Sequence, residues 1–128
     1  MIVKSLDEII GTEDETSGET WSSRRFLYKK DNVGFSMNDT IIKAGTESYF
    51  WYKNHIEAVY CVGGEGEIED IATGEVHPIK DGTIYVLNDH DKHYLRAKTE
   101  MRMVCVFNPP LVGKETHDEE GVYPLLTE

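Results

Sequence analysis

Glu57 opens an apolar, β-branched run, Glu57-Ala-Val-Tyr-Cys-Val, that ends in Gly63-Gly64-Glu65-Gly66. The alternation reads as a strand, and the glycines as a tight turn that needs positive φ. A carboxylate at the head of a strand with a glycine turn at its end is half of a metal-site pattern. The other half lies at Gly82–His93, where Gly82 leads through Asn88 and His90 to His93. A carboxylate and an imidazole are both donors for a divalent cation, but two ligands hold a catalytic metal too weakly. Tyr85 is the candidate third donor, because it lies on the strand leading into the His93 loop and shares a face with Thr83 and Leu87. A divalent cation lowers the pKa of a phenol as it lowers that of bound water, which makes phenolate a hard oxygen ligand. His55 shares a face with Glu57 by alternation, as a neighbouring group or a spare ligand.

The elements that must position these groups are mostly strands. Met1–Lys4 reads as a short strand, followed by a turn of helix capped by Ser5 or Asp7. Residues 11–20 are polar and glycine-containing, hence a loop. Trp21–Tyr28 alternates, with Trp21, Ser23, Arg25 and Leu27 on one face and Arg24 on the other; a bulge would exchange the two arginines. Asp31-Asn32-Val33-Gly34 signals a hairpin, and Phe35–Ile42 is the return strand, with Asn38 and Thr40 on one face. Beyond Gly66 the chain reads as short strands at Glu67–Ile71, Val76–Ile79, Thr83–Leu87, His93–Ala97 and Met101–Phe107. In the last of these, Met103, Cys105 and Phe107 share a face, and Asn108-Pro109-Pro110 stops the sheet. Strands recurring at about 8–12-residue spacing predict an all-β sandwich or barrel. The tail, with Glu115 and His117, reads as irregular and acidic.

At 128 residues the chain makes one domain, residues 1–128, long enough to bury a core. A net charge of −11 argues against nucleic acid as a partner, since phosphates are repelled. No apolar run approaches the ~20 residues that span a bilayer, and the N-terminus carries no secretory pattern. Cys61 and Cys105 sit in apolar strands, as free thiols in a reducing compartment do, which makes the expected location cytoplasmic.

The two blocks resemble those of the cupin superfamily, small jelly-roll barrels that hold a metal inside. The family's first block carries His-x-His, then Glu, then Gly; its second ends Pro-x-Gly-x2-His. Glu57 falls on the glutamate and His93 on the final histidine, but Trp51, Tyr52 and Lys53 stand where the histidine pair belongs. Asn88 and His90 replace the Pro and Gly. Over nearly its whole length the chain resembles a narrower family, ectoine synthase. The stretches that carry the likeness are MIVKSLDEIIGTE, GFSMNDTIIKAGTE, WYKNHIEAVYCVGGEGEIED, DKHYLRA and MRMVCVFNPPLVGKETHDEEGVYPLL.

This resemblance implies a cupin-type jelly-roll barrel with a short N-terminal helix and an irregular C-terminal tail. The reaction it implies is cyclisation of N4-acetyl-L-2,4-diaminobutyrate to ectoine, a compatible solute, with loss of water. It implies metal ligation by Glu57, Tyr85 and His93, usually of iron(II), although Mn(II) or Zn(II) suits the same donors. Pocket residues match at Trp21, Arg25, Asn38, Thr40, Tyr52, Cys105, Phe107, Glu115 and His117. Arg25 would clamp the substrate carboxylate. Glu115 and His117 would bring acid–base groups on a lid spanning residues 112–128, hinged at Gly113. A homodimer is implied too, and the strand Met1–Lys4, with Ile2 and Val3 in the interface, could pair along an exposed edge. Two other readings stand beside it: a non-catalytic small-molecule sensor on a cupin barrel, motivated by the missing histidine pair, and an oxygen-dependent cupin oxidase, which the same absence disfavours.

Overall fold

Strand alternation decides which side chains meet inside. The computed structural model describes residues 1–113. Ten strands follow in order: β1 (Glu15–Ser17), β2 (Trp21–Leu27), β3 (Ser36–Ile42), β4 (Glu47–Phe50), β5 (Ile56–Gly63), β6 (Gly66–Asp70), β7 (Val76–Ile79), β8 (Ile84–Leu87), β9 (His93–Ala97) and β10 (Met101–Asn108). They form a six-stranded sheet, β1-β2-β3-β10-β5-β8, and a four-stranded sheet, β4-β9-β6-β7, and neighbouring strands in both pair antiparallel. The larger sheet turns Val59, Met103 and Phe107 inward, and the smaller turns Phe50, Ile68, Ile79 and Leu95 to meet them in one core. This is the all-β, cupin-type architecture.

Two local expectations, the strand at Met1–Lys4 and the loop over residues 11–20, are corrected, while the helical turn begun by Ser5 is found. Met1–Lys4 is not a strand: it pairs with no strand among the described residues, Met1–Val3 are exposed, and Lys4 Nζ donates to the Phe26 carbonyl at 2.6 Å. The helical turn after it is a single 3-10 turn, Leu6–Glu8, and Ser5 caps it without a side-chain hydrogen bond. Residues 11–20 are not all loop, because Glu15–Ser17 pairs with Ser22–Arg24 as β1. A strand not foreseen, β4, pairs with β9 and places Phe50 opposite His93. Its neighbours Trp51 to His55 carry no regular pattern, which masked its end.

The register shift in β2 falls between Arg25 and Leu27, beyond both arginines. Arg24 therefore faces outward, where Asp39 bridges it to Arg102; Arg102 Nε lies 2.9 Å from Asp39 Oδ2. Arg25 turns inward and is 1% exposed. Among the described residues no helix is long and apolar enough to cross a membrane.

The turn after β5 depends on Gly64. Its φ is +99°, and a Cβ there would lie 2.2 Å from the Glu100 carbonyl oxygen. Neither the backbone angle nor the neighbouring backbone can yield cheaply. Gly64→Ala is expected to destabilise the protein by about 2–4 kcal/mol, read as a fall in Tm or in denaturant midpoint. An unchanged midpoint would show that the turn relaxes freely.

Candidate functional site

Because each strand pairs in register, one cross-strand row runs through five strands of the larger sheet. Arg25 lies opposite Asn38, Asn38 opposite Cys105, Cys105 opposite Val59, and Val59 opposite Tyr85. One row along, Phe107 lies opposite Glu57, and Glu57 opposite Leu87. On the other side Thr40 lies opposite Met103. These rows face the smaller sheet, where β9 directs His93 and Leu95 inward beside Phe50.

The side chains enclose a cavity of about 30 Å³, room for an ion and a water-sized body. Its walls bring together Glu57, Tyr85 and His93, from three strands and both sheets. Trp21, Asn38, Thr40, Tyr52, Cys105 and Phe107 also line it. Arg25 is buried beside the row but does not line the cavity; its Nε donates to Ser23 Oγ at 3.3 Å. Glu115 and His117 lie outside the described residues. His55, also off the cavity wall, packs edge-to-face on Phe107 with ring centroids 5.8 Å apart. The apolar walls Phe50, Val59, Leu95 and Met103 were not singled out from the sequence; their inward alternation was the available signal.

Burial sets the electrostatics. The Glu57 carboxyl is pushed up to about 8 by desolvation, against a weaker opposing hydrogen bond from Cys105. Tyr85 keeps part of its ring exposed on the edge strand, yet burial, and then the nearby Glu57, hold its phenol well above the ordinary range. The Cys105 thiol is raised by burial and by Glu57, and it contacts Thr40 Oγ1 at 3.7 Å. His93 is lowered by desolvation, and its Nδ1 lies 3.0 Å from the Asp91 carbonyl. A carbonyl accepts only, so Nδ1 carries the proton and Nε2 keeps its lone pair. Thr40 Oγ1 donates to Asn38 Oδ1 at 2.7 Å, which leaves the Asn38 amide nitrogen as a donor.

This donor set fits a divalent first-row cation. Carboxylate, phenolate and a neutral imidazole with a fixed tautomer are hard and borderline donors, and no lysine or arginine among the described residues lines the cavity to compete. Among the described residues no cluster of three His, Cys, Asp or Glu could hold a metal. Beside Glu57 and His93, the Tyr85 phenol is a further oxygen donor on the same wall.

The sequence model for ectoine synthase matches residues 1–127. The chain belongs to the ectoine synthase family. L-ectoine synthase from Oceanobacillus iheyensis is 77% identical over 128 residues, covering all of both chains. The enzyme of the same name from Virgibacillus pantothenticus is 76% identical with the same coverage. A crystal structure of ectoine synthase from P. lautus superposes with a TM-score of 0.90 at 64% identity, over 100% of this chain and 92% of that one. The family membership makes the chain an enzyme of lyase type. A predicted oxalate decarboxylase from Thermotoga maritima, at 18% identity and TM-score 0.68, covers 83% of this chain and 97% of its own, and shares the fold alone.

Glu57 links the site to stability. Its pKa is about 8 in the folded, metal-free chain, against the ordinary 4.5. The folded state thus binds the proton more tightly than the unfolded state does. The stabilisation is full below the ordinary value and is lost as pH rises through about 8. Denaturation of chelator-treated protein should show stability falling across that window, and Glu57→Gln should flatten the fall. Equal slopes for both proteins would place the titration elsewhere.

Proposed function

We propose that this enzyme closes N4-acetyl-L-2,4-diaminobutyrate to ectoine, using a divalent metal, iron(II) first among the candidates, held by Glu57, Tyr85 and His93. The observation that carries the reading is the single cavity in which both sheets gather those three groups with Asn38, Thr40 and Cys105. Full-length likeness to L-ectoine synthases supports the same activity.

The reaction joins the α-amine nitrogen to the acetamide carbon and expels the carbonyl oxygen as water. Both protons of that water come from the α-ammonium group, and the product amidinium keeps the positive charge. An acetamide is a poor electrophile, and a bound metal polarises its carbonyl as a Lewis acid. Folding the substrate into a ring is a positioning problem, and fixed walls supply much of the rate. Arg25, inward on β2, accounts for the substrate carboxylate by a bidentate pair. The Asn38 amide, oriented by Thr40, donates to the substrate's oxygen. Trp21, Tyr52 and Phe107 wall the chamber and exclude bulk water. The acid–base roles are assigned to Glu115 and His117, which lie outside the described residues. The substrate is larger than the cavity, so its walls part on binding.

We further propose a cytoplasmic homodimer. The outer face of β5 and β8 exposes Ile56, Tyr60, Val62, Ile84 and Val86, with Tyr60 directly opposite Ile84. Among the described residues β8 ends the larger sheet with no strand beyond it, and Met1, Ile2 and Val3 stand exposed, available to pair along such an edge. Cys61 and Cys105 are free and buried, which suits a reducing compartment.

Purified protein loaded with iron(II) under anaerobic conditions should convert the acetylated diaminobutyrate to ectoine. Absence of product with every divalent metal tried would overturn the catalytic reading, and a requirement for oxygen would favour the oxidase. Glu57→Ala, Tyr85→Ala and His93→Ala should each lower metal occupancy about ten-fold or more at limiting metal. Light scattering should give a dimer, converted to monomer when Ile84 and Val86 are both replaced by Lys; a wild-type monomer would sink the interface.

A further inference from the structure

His90 belongs to no part of the ligand set, and its ring is exposed. Yet its backbone lies at φ 54°; among the described residues Asn32 is the other non-glycine residue with positive φ. Such a conformation is disfavoured for a residue with a Cβ, and persists where neighbouring structure enforces it. What enforces it here is a long-range hydrogen bond: His90 Nδ1 lies 2.8 Å from the Tyr52 carbonyl oxygen. The carbonyl can only accept, so Nδ1 donates.

Two loops meet at this bond. One joins β4 to β5 and carries Trp51 and Tyr52; the other joins β8 to β9 and delivers His93. A second contact ties them, since Lys92 Nζ sits 4.3 Å from the Trp51 ring centroid. The far side of the second loop is held as the Ile71 amide donates to the Lys92 carbonyl at 3.1 Å. Inside, the Tyr52 ring lies 6.1 Å from the His93 ring and 5.3 Å from that of Phe107. The peptide that His90 grips therefore belongs to the residue whose ring packs on His93. The peptide next to His90, that of Asp91, fixes the His93 tautomer.

We propose that His90 is a positioning residue, which locks the loop delivering His93 against the loop carrying Tyr52 and so fixes ligand and wall relative to each other. The proposal rests on the reading of His93 as a metal ligand. Without the bond, both loops keep their strands but lose their mutual register, and the imidazole is presented to the cavity less often in its working position.

Two substitutions separate the hydrogen bond from the backbone angle. His90→Gly keeps the left-handed conformation and removes the donor. His90→Asn tolerates the same conformation and places an amide nitrogen near the former Nδ1. Amide hydrogen exchange in the metal-free protein should quicken over residues 51–55 and 88–93 in the Gly variant and return to the wild-type pattern in the Asn variant. In iron-loaded protein a chelator should remove iron about ten-fold faster from the Gly variant, while the Asn variant stays within about two-fold of wild type. Exchange in the Gly variant that matches wild type, or an Asn variant that behaves as the Gly variant does, would overturn the proposal. A wild-type protein that retains no iron would refute the ligand reading of His93, and the exchange comparison would still decide the coupling of the loops.

Discussion

Burial without a matching positive side chain is the constraint on which this interior depends. A carboxyl, a phenol, a thiol and an imidazole line one cavity, and no lysine or arginine among the described residues stands in its wall. Desolvation, joined at Tyr85 and Cys105 by the nearby Glu57, therefore favours the neutral form of every one of these groups. Such groups are costly to place in a core built for stability, where apolar residues of similar volume would pack as well or better. Their presence together is what a site for a cation looks like from the protein's side, because each becomes a strong donor once positive charge enters.

The sheet gives that chemistry its geometry. Donors on flexible loops would each lose conformational entropy on converging. Here Glu57 and Tyr85 stand on adjacent strands held by the β5–β8 ladder, and the β9 ladder holds His93 from the opposite layer. The row from Arg25 to Tyr85 is set by backbone pairing, so a one-residue slip in any of its strands would turn that strand's contribution out to solvent. Glycine turns such as Gly64 guard the register at the strand ends, and the Asn88–Lys92 loop guards it where β9 begins.

Much of this was legible in the sequence, because alternation is a local property. The shared faces of Trp21 with Arg25, of Asn38 with Thr40, and of Cys105 with Phe107 follow from period-two counting, and the coordinates keep them. Alternation also separates Arg24 from Arg25, given that the bulge lies beyond both. What sequence could not give is partnership. Met1–Lys4 has strand composition but pairs with no strand among the described residues, while the polar Glu15–Ser17 becomes a strand because β2 offers an edge. Nor does any local pattern connect His90 with Tyr52, or show that Phe50 faces His93; those contacts arise only when the two sheets close. Tyr85 as candidate third donor follows from its place on the strand leading into the His93 loop, and the resemblance to a known family points to the same residue.

The central claim is that a carboxylate, a phenolate and an imidazole from both sheets meet on one cation. The most direct measurement is the visible absorption of iron-loaded protein after oxidation to the ferric state, compared between wild type and Tyr85→Phe. Phenolate bound to ferric iron gives a charge-transfer band, and removing one hydroxyl from a half-buried side chain leaves the fold in place. The account predicts the band in wild type and its loss in the phenylalanine variant. A wild-type protein that binds iron without the band, or a variant that keeps it, would contradict the account.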